Sequence, residues 1–199
     1  MTLKLVTDAD NEPLTLAQAK RHLRVDHSHE DEDITDAIVS ARKKAEHLTG
    51  RTLTTQTWER VLDAFPAVEI ELGIPPAISQ HRVLSIVSLT YIDQAGVEQT
   101  MNPADYSLDA DTAPGWVLPS KALGVWPSTL DTANAVRVRF TTGYSIEQDK
   151  GRALLRSFMR MEIGTLYKMR ESIVAGVSIA DLPGGYHERL LDPYRLWGV

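Results

Sequence analysis

The hydrophobic period changes twice along this chain, and that double change limits the fold more than any other feature. Up to about residue 50 apolar residues recur at helical spacing. From Arg51 the pattern turns to strict alternation rich in β-branched residues, and after Gly143-Tyr144 helical spacing returns. A β region bracketed by helices predicts an α+β fold: a helical bundle from the N- and C-terminal helices, with an inserted antiparallel β-sheet or small barrel. The corresponding divisions are 1–50 (helical), 51–144 (inserted β), 145–172 (a long helix completing the bundle) and 173–199 (a tail).

The first helix starts sharply. Pro13 stops what precedes it, and Thr15 with Gln18 three residues later forms a capping-box pattern. Leu16, Ala19 and Leu23 lie on one face, with Lys20, Arg21 and Arg24 elsewhere. The link His27 to Asp33 is polar and acidic, and its carboxylates complement the positive end of a second helix. That helix carries the stripe Ile34, Ile38, Ala41, Ala45 and Leu48, with Ala37 beside it, and Thr49-Gly50 is its stop. Six or seven strands follow, the clearest being Val136, Val138 and Phe140 alternating with Arg137 and Arg139. Asp93-Gln94-Ala95-Gly96 is a turn between two of them. Ser145 and Gln148 repeat the capping-box pattern ahead of a helix over about 146–169, whose Gly164 marks close packing.

At 199 residues the chain can bury a sizeable core, and its 43% hydrophobic and 24% charged residues are ordinary for a globular protein. With no cysteine, disulfides and thiolate chemistry are excluded. The N-terminus lacks a signal-peptide run, and no stretch approaches the roughly 20 apolar residues that span a bilayer, so no membrane partner is expected. A net charge of −6 argues against tight, non-specific binding of nucleic acid.

Few constellations carry chemistry. His22, His27, His29, Glu30, Asp31 and Asp33 form the best metal candidate, but a solvated, acidic helix entry is the favoured reading, because a closed site needs ligands held by surrounding structure. Glu69 with Glu71, and Asp105, Asp109 and Asp111, are paired carboxylates that read as solvent-facing positions. There is no nucleophile elbow, zinc-protease helix or phosphate loop. Arg137 and Arg139, beside Arg82, make a short basic strip better suited to pairing with acids across strands or between subunits than to DNA. Trp126 and Trp197 are satellite core or interface anchors. The end from Leu190 to Val199 is too apolar for a free terminus, so it either packs on its own domain or docks on a partner.

The order of these pieces resembles the head–tail connector (adaptor) family of long-tailed bacteriophages, prophages and gene transfer agents. The likeness runs through Leu3-Lys4-Leu5-Val6, Pro13 to Lys20 with His22 to Val25, Glu46 to Arg51 and Thr55 to Trp58. It continues through Ser88 to Asp93 with Gly96, Tyr106, Trp126-Pro127, Ala135 to Tyr144, Tyr167 to Glu171 and Leu190 to Arg195. It breaks off from Ile173 to Tyr186, which reads as a variable linker.

The resemblance implies a non-enzymatic virion protein without cofactor or metal, located in the neck at the head–tail interface and in the host cytoplasm during assembly. It implies a ring of twelve copies beneath the portal, joined on the tail side to a stopper or tail-terminator protein, with DNA passing through unread. Leu190, Leu191, Pro193, Tyr194, Arg195 and Trp197 are then the portal-docking candidates. Lys20, Arg21, Arg24, Arg137 and Arg139 are the intersubunit candidates. The competing readings are a metal-dependent hydrolase built on the cluster from His22 to Asp33, and a DNA-binding accessory module.

Overall fold

The computed structural model describes residues 2–73, 83–112, 114–143, 153–169 and 185–195. Several expectations lie outside these residues: Arg82 in the basic strip, the Ser145/Gln148 capping box, the linker as far as Gly184, and Trp197. The fold is mixed, with helices and antiparallel sheets in two compact units. One comprises residues 1–10 and 50–144, the other 11–49 and 145–199.

The first unit contains eight described strands: β1 (Thr2–Thr7), β2 (Gln56–Leu62), β3 (Ile70–Glu71), β4 (Val83–Ile92), β5 (Glu98–Thr100), β6 (Tyr106–Asp109), β7 (Trp116–Pro119) and β8 (Val136–Thr142). They form a five-stranded sheet, β1-β2-β8-β4-β5, and a three-stranded sheet, β3-β7-β6. Among the described residues the order of the five strands is open, which is the sheet of the two expected forms. β8 lies at its centre, and its alternation is the predicted one: Val136, Val138 and Phe140 are buried while Arg137 and Arg139 are exposed. Those three join Leu89, Ile70, Leu72, Val117 and Trp126 in one apolar cluster shared by both sheets. Trp126 is therefore core: it stacks on Phe65 with ring centroids 4.9 Å apart, and its indole N–H donates to the Val68 carbonyl oxygen at 2.8 Å.

β1 is a difference from the sequence reading, which placed residues 1–50 in the helical part. Residues 2–7 instead pair antiparallel with β2, Lys4 opposite Glu59. The partner is about fifty residues downstream, so no local turn announces the strand. β4 carries two register shifts, which leave Leu84 and Val87 out of the pairing with β8, at 43% and 54% exposure. A bulge re-aims a side chain in this way.

The second unit contains α1 (Leu16–Leu23), α2 (Asp31–Thr49), α3 (Ala153–Lys168) and α4 (Tyr186–Arg189). The Thr15 capping box forms in both directions: Gln18 N–H donates to Thr15 Oγ1, and Thr15 N–H to Gln18 Oε1, each at 3.2 Å. Asp31, Glu32 and Asp33 occupy the first turn of α2, and Gly50 follows its end at φ +67°. Ile34, Ile38, Ala41 and Ala45 are buried as the stripe predicts, with Leu48 only half-buried. α2 packs along α3, and α1 touches both. A Cβ on Gly164 would stand 3.8 Å from His22 Nε2, an ordinary contact that shows how near α1 comes to α3. No described helix is long and apolar enough to cross a membrane.

Candidate functional site

The metal candidate is taken apart by its own neighbours. Lys20 on α1 donates to Asp31, and the Tyr167 hydroxyl on α3 donates to Glu30. His27 Nε2 lies 3.6 Å from Glu30, and the His27 and His29 rings are 5.8 Å apart. His22 turns toward α3 at Gly164. Among the described residues no group of three or more histidines and carboxylates is placed to hold an ion. The link is a set of helix-locking contacts, in which cation and hydroxyl donors use the carboxylates that a metal would need.

The other carboxylates serve local structure. β3 contains Glu71 but not Glu69, which is exposed just before it. Asp109 accepts the N–H groups of Asp111 (3.0 Å) and Thr112 (3.3 Å), and its other oxygen accepts the Thr112 hydroxyl at 3.1 Å. The Asp111 N–H, first, and then the Thr112 hydroxyl hold its carboxyl below the usual range. This is a loop cap whose ionised form is favoured. An acid–base pair needs two environments that push apart. Shallow concavities lie on both units. One, of about 240 Å³, lies beside Thr90, Glu98, Asn134 and Arg137; the other, of about 370 Å³, lies between Asp36 on α2 and Leu166 on α3, with Met169 just past the end of that helix. Neither is lined by a histidine.

The intersubunit candidates divide in two. Arg139 Nη2 donates to the buried Glu59 at 2.8 Å, with Arg137 at 3.9 Å from the same carboxylate. Lys20 is paired with Asp31. These three cations therefore have carboxylate partners within the chain. Arg21 and Arg24 are exposed, Arg24 as the left-handed cap of α1 at φ 59°.

The docking candidates also divide. Leu191 is 0% exposed, an anchor within its own unit. Pro193 is exposed, and Leu190, Tyr194 and Arg195 are half-buried. His187 makes two contacts with α3. The His187 ring stacks near Phe158 on α3 at 5.8 Å, and His187 Nε2 lies 3.6 Å from Glu162. Both Glu162 oxygens also accept from Lys44 Nζ on α2, at 2.9 Å each. The buried Glu162 thus ties α2, α3 and α4 together.

Sequence reasoning missed this clamp and a second one. Arg42 is 1% exposed; its Nε donates to both Glu12 oxygens (3.0 and 2.9 Å) and its Nη1 to Glu46 at 2.9 Å. The i,i+4 spacing of Arg42 and Glu46 was a readable signal.

What remains is a protein of packed units, capped loops and outward cations, without convergent chemistry among the described residues. Residues 13–96 match the sequence model of the family described as phage gp6-like head-tail connector protein. No curated protein matches the chain in sequence. Three solved structures each match 100% of this chain over 97% of theirs. The neck of an empty gene transfer agent (GTA) particle computed with C6 symmetry matches with TM-score 0.73 at 24% identity. The virion of a native GTA particle matches with TM-score 0.71 at 22% identity, and the neck of a native GTA particle computed with C12 symmetry with TM-score 0.66 at 21%. The chain thus carries, over residues 13–96, the sequence pattern of the phage gp6-like head-tail connector proteins, on a fold shared end to end with chains of gene transfer agent particles.

Proposed function

We propose that this protein is a structural head–tail connector subunit: a non-enzymatic component of a virion neck that forms a ring under the portal and joins capsid to tail. The observation that carries the reading is the connector-family match at residues 13–96 on a chain whose whole length takes the fold of chains in GTA particles. A ring of twelve is supported by the C12 symmetry of one of those necks. In this reading the subunit assembles in the host cytoplasm, the helices form a bundle around the DNA channel, and a stopper or tail-terminator protein follows on the tail side. Arg21 and Arg24 face a neighbouring subunit's carboxylates, with Lys20, Arg137 and Arg139 sharing theirs.

The C-terminal segment meets the portal through Leu190, Pro193, Tyr194 and Arg195 together with Trp197, while Leu191 anchors its base. The test is electron microscopy of the protein mixed with its portal. The expected result is a ring of extra density beneath the portal, lost when residues 192–199 are removed. A full-length chain that adds no density overturns the connector reading. Density that survives the truncation overturns the docking assignment alone.

A further inference from the structure

Among the described residues no strand pairs with the outer edge of β1 or of β5 in the five-stranded sheet, and these two edges match each other. Four successive antiparallel pairings separate β1 from β5, so these edge strands run in the same direction. The residues of β1 are exposed apart from the half-buried Leu3, and all three of β5 are exposed. An edge strand offers a row of backbone groups to another chain, and natural edges are blunted by charge, bulges or brevity. Here β5 is brief, with three residues, and β1 has a bulge at Val6 and the lone charge of Lys4. That leaves residues 2–5 as a plain strand.

The faces also agree. Lys4 pairs with Glu59, which pairs with Arg139 on β8, so all three lie on one face. Arg137 shares that face and lies opposite Thr90, which lies opposite Thr100 on β5. Glu98, two residues before Thr100, stands on the same face. A lysine on one edge and a glutamate on the other therefore project from the same side of the sheet.

We propose that the β1 edge of one subunit adds to the β5 edge of the next, as a short parallel pairing of residues 2–5 with residues 98–100 in which Lys4 lies beside Glu98. The contact is heterologous, and a rotation that repeats it closes a ring with one sheet running through neighbouring subunits. The occupant is a second copy of this chain because the two edges are complementary in direction, face and charge. The proposal rests on the ring reading above and supplies a contact within it. Three backbone positions make it one part of a larger interface, the part that sets register.

The chain has no cysteine, so paired cysteines report this contact alone. In the assembled full-length protein, Lys4→Cys with Glu98→Cys, treated with a short bis-maleimide, is expected to give a ladder of linked subunits. Either single variant is expected to give none. Facing and diagonal neighbours stand about 5 and about 7–8 Å apart, so the reagent spans either alignment. Lys4→Glu is expected to weaken assembly and Lys4→Glu with Glu98→Lys to restore it. A ring seen by microscopy without the ladder overturns the edge pairing and leaves the connector reading standing. A chain that gives neither ring nor ladder, alone or on its portal, overturns both.

Discussion

Arg42 shows most clearly what a single residue contributes here. Its guanidinium is buried on α2 between Glu12 and Glu46, and the hydrogen bonds on both sides make that burial tolerable. Removing it leaves two partly buried carboxylates without their cation. Arg42→Ala is therefore expected to lower stability by about 3–5 kcal/mol, read as a fall in the urea midpoint at constant slope. Ser40→Ala, at an exposed position two residues earlier on α2, is expected to stay within about 0.5 kcal/mol. Half of this network was legible, since Arg42 and Glu46 stand four apart on a helix. Glu12 was not, because it lies thirty residues away in an irregular segment. Asp93 gives a second test at this scale. Its carboxylate accepts the N–H groups of Val97 (3.0 Å) and Ala95 (2.9 Å) and the Gln99 side-chain amide at 2.8 Å. The Val97 bond leads in holding its pKa below the ordinary 3.8. A depressed carboxyl contributes stability that is present above its unfolded value and lost as pH falls through the folded one. Asp93→Asn keeps an acceptor but cannot titrate. The stability gap between wild type and Asp93→Asn is thus expected near neutrality and should close below about pH 4, as followed by acid unfolding. A gap constant down to pH 2 would remove the carboxylate from the turn's energetics.

Elements announced by a cap or a period were readable; those defined only by a distant partner were not. α1 was given by Pro13 and the Thr15/Gln18 box, α2 by its acids and Gly50, and β8 by its alternation. β1 had no such marker, and the Leu84 and Val87 bulges depend on how β4 meets β8. Two glycines that end elements separate backbone conformation from space. Gly50 sits at φ +67° with nothing within 4 Å of a would-be Cβ. Gly50→Ala is expected to cost about 1 kcal/mol, the penalty of a left-handed conformation alone. Gly143 closes β8 at φ +123°, where a Cβ would come 2.1 Å from the Thr54 carbonyl oxygen. The strand end must move to admit it. Gly143→Ala is expected to cost about 3 kcal/mol or more, because the clash is with backbone. Urea unfolding of the two variants side by side measures the difference. Equal costs would mean that β8 yields at its end.

For the whole molecule the sequence was informative about order and silent about surfaces. The succession of two helices, six or seven strands and a long helix was readable, and so was the family resemblance that the order carries. Assembly surfaces were not, because a cation that will meet a neighbour looks like one that meets its own chain. Arg139 and Arg21 were indistinguishable in sequence, yet only Arg139 has a buried carboxylate 2.8 Å away. Charge as a whole supports a firmer expectation. Affinity for duplex DNA comes chiefly from clustered cations that displace counterions from phosphate, and it falls steeply with salt. Each chain carries −6, and Arg137, Arg139 and Lys20 already stand near carboxylates of the same chain. In the proposed ring every added subunit contributes a further net −6, so the assembly as a whole offers DNA no net attraction. The assembled protein is therefore expected to show no retention of duplex DNA at about 0.15 M salt, and only weak, sequence-independent retention at low salt. A mobility shift that persists at the higher salt would mean that cations are concentrated on one surface despite the net charge, and would favour the DNA-binding reading over the connector.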